Sequence, residues 1–395
     1  MLSPNADDPR LSRPRTLAAI MLTLAGLAVV PAGCNRPTRT GPQAPADVDS
    51  RRAAFPLSDE DFSKIGYARD WLGFPVVAPQ GNIIGLHAWD DLVIIQDSNS
   101  TATALENSTG QRRWSNQLAS QLTRFVGAER TDGRLLAFAE SEAIGLSPDT
   151  GDILMRQRFD RLVNTQGVLV GDRVIFGTAR GDVLAHGLGL GFQAWAFGTG
   201  ATITRSPVLI GGSVAILNDR GEVFFLNPVS GALNGRSQAM YASSAFDPVA
   251  AGDLLVVASL DQSLYAFRES GGRPVWQHRT SSPPGAAPSY FGGRVFCEVD
   301  GSLTGFVAGT GKVAWTSKGT KGQVVAVRQS GAGAMLLVQD GTNLSLVDAE
   351  RGDVLERISV PGLYQVKTNG GAGLRADGTV YLISTSGLVA KLRPR

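Results

Sequence analysis

Seven glycines recur at a nearly constant spacing, and that spacing restricts the chain to one kind of architecture. Gly110, Gly151, Gly191, Gly231, Gly272, Gly311 and Gly352 lie 41, 40, 40, 41, 39 and 41 residues apart. Gly110, Gly191, Gly272 and Gly311 are each followed, after three intervening residues, by Trp114, Trp195, Trp276 and Trp315. Gly151, Gly231 and Gly352 hold the same place in copies without the Trp. A unit of about 40 residues repeated this often is one supersecondary element that buries its faces only against its neighbours.

The grammar of one unit is clearest after the Gly171-Asp172 turn. Apolar, β-branched runs at 173–176, 183–185, 193–197 and 207–210 are separated by Gly, Asp, Asn and Pro. Four short runs split by turn residues predict a four-stranded antiparallel meander. Such sheets, apolar on both faces, stack radially around an axis as the blades of a propeller.

Counting gives the number of blades. The 325 residues from Trp71 to Arg395 hold eight periods. With strands lettered A to D from the axis outward, the last copy has strand B at 380–384 and strand C at 388–392, beside a run at 371–374. The chain then ends at Arg395, one strand short. Residues 69–74 form an orphan strand, with Trp71 43 residues before Trp114. The expectation is an all-β, eight-bladed propeller of four-stranded antiparallel blades, its ring closed by this N-terminal strand. Closure leaves no radial edge unpaired.

The repeated Gly is predicted to take a positive φ in the turn between strands C and D. The Trp, at Trp71, Trp114, Trp195, Trp276 and Trp315, is predicted to lie flat over the neighbouring blade's turn. Each indole N–H then needs one acceptor.

Residues 1–33 read as a targeting segment. Arg10, Arg13 and Arg15 precede a largely apolar run at 17–30, fourteen residues long. A bilayer span needs about 20, so the run fits a signal peptide. Val30-Pro31-Ala32-Gly33-Cys34 resembles a bacterial lipoprotein signal, with cleavage before Cys34 and lipidation of its thiol. Pro31 departs from the aliphatic residue usual there; soluble export and an uncleaved anchor are the alternatives. Residues 34–65, with Pro37, Pro42, Pro45 and Pro56, read as a flexible tether ending in a short helix near 59–67. Residues 66–395 are the propeller.

The units beginning Leu264-Tyr265-Ala266-Phe267 and Ser302-Leu303-Thr304-Gly305-Phe306, ending at Trp276 and Trp315, resemble the quinoprotein (PQQ-like) propeller repeat. One branch of that resemblance implies a dehydrogenase with quinone, calcium, an Asp base and adjacent cysteines. The other implies a non-catalytic scaffold of the cell envelope, typified by an outer-membrane lipoprotein of the β-barrel assembly machinery.

The residues favour the second branch. The only cysteines are Cys34 and Cys297, so no adjacent pair exists. Cys297 sits in an apolar strand and reads as a buried filler. His87, His186 and His278 fall in different blades without metal spacing. Asp132, Asp219, Asp261, Asp300, Asp340 and Asp377 stand at strand turns and read as turn formers. No catalytic, cofactor or metal residue is assigned, and no cofactor is expected. A net charge of +2 argues against a nucleic-acid partner held by bulk electrostatics. The expected partners are proteins of the cell envelope, and the membrane through a lipid on Cys34. The chain would act as a monomer or as a subunit of a hetero-complex, on the periplasmic face of the outer membrane. Tyr241, Tyr290 and Tyr364, placed on passages from strand D to the next strand A, are the candidate partner-binding residues. Arg156, Arg158 and Arg161 form a basic cluster on blade 2. The rival reading is a divergent quinone- or carbohydrate-binding propeller, which extends to a quinoprotein-type oxidoreductase.

Overall fold

The computed structural model describes residues 58–78, 81–131, 133–331, 333–368, 374 and 377–395. Cys34, the targeting segment, most of the tether, Asp132 and residues 371–373 lie outside them. The described strands form eight four-stranded antiparallel sheets, each a blade. Blade 1, for example, pairs Ile83–Ala88, Leu92–Asp97, Thr101–Glu106 and Arg112–Gln117 in sequence order from the axis outward. Central strands are fully buried, as in Leu92–Asp97 and Ser213–Leu217. Their continuous apolar runs fit sheets covered on both faces.

Two strand assignments differ from the sequence reading. The run at 207–210, grouped there with blade 3, contains Val208–Ile210, which is strand A of blade 4 and pairs with Ser213–Leu217. Blade 3 takes Val168–Val170 as its own strand A. Likewise strand A of blade 8 is Leu363–Thr368, ahead of the run at 371–374. In blade 4 a two-residue turn binds strand A to the strand B after it, and in blade 8 antiparallel pairing places Leu363–Thr368 against Val380–Ser384.

Closure is as counted. Strand β1 (Tyr67–Gly73) pairs antiparallel with Val389–Pro394 and completes blade 8. Helix α1 (Asp59–Lys64) precedes it, opened by Ser58, whose hydroxyl and Asp61 form a capping box. Phe62 and Ile65 are fully buried among Ile358, Val360 and Leu392. The packed body therefore begins before residue 66, because α1 covers the outer corner between blades 7 and 8. No helix among the described residues is long and apolar enough to cross a membrane.

The seven repeated glycines all have positive φ, from 67° at Gly311 to 81° at Gly272. Five junctions between blades share one latch. Trp71, Trp114, Trp195, Trp276 and Trp315 are each 6–8% exposed. Their rings lie on Gly110, Gly151, Gly231, Gly311 and Gly352 of the following blade, where a Cβ would collide; at Gly110 it would sit 2.6 Å from the Trp71 ring. Each indole N–H donates to the carbonyl three residues before that Gly. The acceptors are Asn107, Pro148, Pro228, Ala308 and Ala349, at 2.7–3.1 Å. A buried ring of this size contributes about 4–6 kcal/mol of transfer free energy.

Candidate partner-binding face

An antiparallel meander that starts at the axis sends its D-to-A passages and B–C turns to one end of the ring. The A–B and C–D turns go to the other. The three candidate tyrosines do not share an end. Tyr241 is on the D-to-A passage between blades 4 and 5, 87% exposed. Tyr364 is 57% exposed but belongs to strand A of blade 8, at the passage end. Tyr290 is half-buried in strand A of blade 6, against the cluster of Val249, Ala251 and Val295, and beside the A–B turn at the opposite end. Two expectations are thus corrected: Tyr290 and Tyr364 are strand residues, and Tyr290 packs inward. Both follow from pairing with strand B, which extends strand A back into the stretches read as passages.

Around Tyr241 the loop is fixed while the ring is free. Its backbone N–H donates to Asp261 Oδ2 at 3.0 Å, and the same oxygen accepts the Tyr265 hydroxyl at 2.9 Å. Gln277 Nε2 donates to that hydroxyl at 3.0 Å, and Ser259 Oγ donates to the Ala242 carbonyl at 3.0 Å. Tyr265 is 2% exposed, and burial, then its bond to Asp261, raises its pKa. A large aromatic held on a rigid backbone loses little freedom on binding, which suits a protein contact.

The turn aspartates have a second role beyond the one read from the sequence. Asp261 ties its turn to the passage carrying Tyr241. Asp300, at φ +50°, accepts from Ser281 N at 2.8 Å and Ser282 N at 3.3 Å on the next passage. The Ser281 hydroxyl bond comes first among the causes that hold the Asp300 carboxyl below its ordinary range. These carboxylates brace the passage end of the ring. No cluster of three His, Cys, Asp or Glu suited to a metal occurs among the described residues.

Leu122, Leu162 and Leu260 stand on the same end, 94%, 64% and 47% exposed. The sequence reading missed them. Its available signal was a lone Leu inside a polar loop, which has no period to mark it. Arg156 pairs with Glu142 at 2.5 Å and Arg161 with Asp182, while Arg158 is exposed. Cys297 is 1% exposed, its thiol 3.3 Å from the Ala286 carbonyl, and burial pushes its pKa up. His278 packs edge-on against Phe306, with ring centroids 4.9 Å apart.

The family model for outer membrane protein assembly factor BamB matches residues 98–241 and 234–394, two overlapping stretches that run continuously along the propeller. The chain is 23% identical over 326 residues to the outer membrane protein assembly factor BamB of Burkholderia pseudomallei, covering 77% of this chain and 82% of that one. Among solved structures it is similar to BamB from Moraxella catarrhalis, with a TM-score of 0.62 and 17% identity over 82% of this chain and 97% of the other. A computationally designed protein, Ika8, matches with a TM-score of 0.65 and 14% identity, over 83% and 99% of the two chains. At these identities the structural likenesses establish the fold alone.

Proposed function

We propose a function from one fixed premise: this chain belongs to the family of the outer membrane protein assembly factor BamB. It is a non-catalytic scaffold of the cell envelope that aids assembly of outer-membrane proteins by holding a protein partner against the propeller. The continuous family match from residue 98 to 394 carries this reading. The passage end supports it, because Tyr241 is 87% exposed on a loop whose backbone is pinned by Asp261. A quinoprotein reaction would need an adjacent cysteine pair, and Cys34 and Cys297 cannot supply one. The mature chain begins at Cys34, carries lipid there and faces the periplasm on the outer membrane, acting as a subunit of a hetero-complex. Tyr364 is a second contact point at the same end.

Site-specific photocrosslinking in intact envelopes tests the assignment. A crosslinker at position 241 should capture one discrete protein partner, and one at Phe192, 54% exposed at the opposite end, should not. Equal capture at both positions, or none at 241, would overturn the placement. Replacing Cys34 with Ser should move the protein from the detergent phase to the soluble fraction; unchanged partitioning would remove the lipid anchor.

A further inference from the structure

The sheet registers give every blade one strand-A residue at the height of the Trp position. In blade 1 the line runs inward from Trp114 through Ala104 and Ile94 to His87. In blade 2 it runs from Met155 through Gly145 and Leu136 to Glu129. In blade 8 it runs from Trp71 through Lys391 and Tyr381 to Lys367. The other blades place Val168, Val208, Val249, Ser289 and Ala326 there. Directly opposed residues in antiparallel strands project from the same face. Lys367, His87 and Glu129 therefore project in one rotational sense, from adjacent inner strands, at one height on the axial channel.

All three are half-buried, and among the described residues none of their side chains makes a hydrogen bond or ion pair. Such groups are costly to hold out of water without partners. Burial, with a smaller effect from Lys367, brings His87 down to about 4. Burial also holds Lys367 below and Glu129 above their ordinary ranges. Asp247 opposes the fall at Lys367, but it is engaged by the Ser206 N–H at 2.8 Å and hydroxyl at 3.1 Å. Trp89 stacks on the His87 ring, 6.3 Å between centroids, and fixes its plane. Around the arc the order is ammonium, neutral imidazole, carboxylate. The ammonium repels a metal cation, and the carboxylate repels a simple anion.

We propose that this arc binds a short zwitterion such as a free peptide, with its carboxylate on Lys367 and His87 and its ammonium on Glu129. The site is independent of partner docking at the passage end. Glycylglycine is the probe, with N-acetylglycylglycine and glycylglycinamide each lacking one of its charges. The chain has three histidines, so the imidazole resonances of the intact mature protein separate, and His87→Asn assigns one of them. Glycylglycine should shift His87 and leave His186 and His278 in place. Lys367→Met and Glu129→Gln should each weaken the response about tenfold or more, while Lys367→Arg retains it. Thermal unfolding of each variant confirms an intact ring. No shift at tens of millimolar, equal binding of either one-charge probe, or full binding by Lys367→Met would overturn the proposal.

Discussion

The junction between blades 5 and 6 and the junction between blades 2 and 3 meet the same geometric demand with different chemistry. At the first, Trp276 covers Gly311 and its N–H donates to the Ala308 carbonyl at 2.7 Å. At the second, Met155 stands in the Trp position, and Gln157 Nε2 donates at 2.8 Å to the carbonyl of Leu188. Leu188 precedes Gly191 by three residues, so this is the acceptor the indole would have used. The amide's other atom, Gln157 Oε1, faces His186 Nε2 at 3.1 Å. What these two junctions share is a satisfied carbonyl beside a bare glycine turn. The apolar cover over it can be exchanged.

The junction between blades 8 and 1 takes the comparison furthest, because its latch residue, Trp71, arrives from the other end of the chain. Removing residues 58–80, so that the protein starts at Gly81, deletes that ring and α1 together and bares the edge of Val389–Pro394. Loss of the Trp alone costs about 3–5 kcal/mol, and the lost strand adds to it. Protein starting at Ser58 should melt close to the mature chain. Equal melting of the two truncations would end the closure argument.

Next in size come substitutions that force one solution onto another junction. Trp276→Ala should cost about 3–5 kcal/mol in chemical denaturation. Gly235 holds the Trp position in blade 4, yet Gly235→Trp should also destabilise, by about 3 kcal/mol or more. There the neighbouring turn docks on bare backbone: Gly272 N–H donates to the Arg236 carbonyl at 2.8 Å, and a Cβ on Gly235 would lie 2.5 Å from Glu269 O. A stabilised Gly235→Trp protein would show that any junction accepts the Trp latch.

These junctions also explain what could be read from the sequence. The Gly-to-Trp spacing is local, and it specified the turns, the latch and the blade count. Phe62 and Ile65 were hidden, since two apolar residues in a polar, Pro-containing stretch show no period until α1 meets blades 7 and 8. The tyrosines needed the register of strand A on strand B, which composition does not fix, so Tyr290 looked exposed and is packed. The arc of Lys367, His87 and Glu129 was invisible for a third reason. Lys367 is more than two hundred positions from the other two and joins them only when blade 8 closes onto blade 1.

A smaller effect follows from removing the substitute donor. Gln157→Met should leave the Leu188 carbonyl unsatisfied at a cost of about 1–3 kcal/mol. Adding Met155→Trp to it should recover part of that loss, since Gly191 is already bare. Failure of the double variant to exceed the single one would mean that the Gln157 amide acts through His186 rather than through Leu188.

The smallest predicted effect is that acid separates the two junction types. His186 is fully buried, and burial lowers its pKa, with Asp160 opposing the shift more weakly. Because Gln157 Nε2 is committed to Leu188, its Oε1 must accept from His186 Nε2–H. That leaves Nδ1 as the unprotonated nitrogen, and it has no partner among the described residues. Protonation would create a second buried N–H donor with nothing to receive it. A histidine whose folded pKa lies below its unfolded value adds stability that is complete above about 6.5 and is lost as pH falls toward the folded value. The junction between blades 2 and 3 should therefore loosen first in acid, while the latch of Trp315 on Gly352 and the Ala349 carbonyl holds no titrating group. Relative to 343–348, the amides of 182–187 should lose protection between pH 7 and 5 once intrinsic exchange rates are divided out, and His186→Gln should abolish the difference. His87, at about 4, also lowers global stability in this range, so the contrast between the two segments is the measurement that isolates His186. Equal loss of protection in both segments would mean that the ring softens as a whole and that the exchanged latch is as acid-resistant as the Trp.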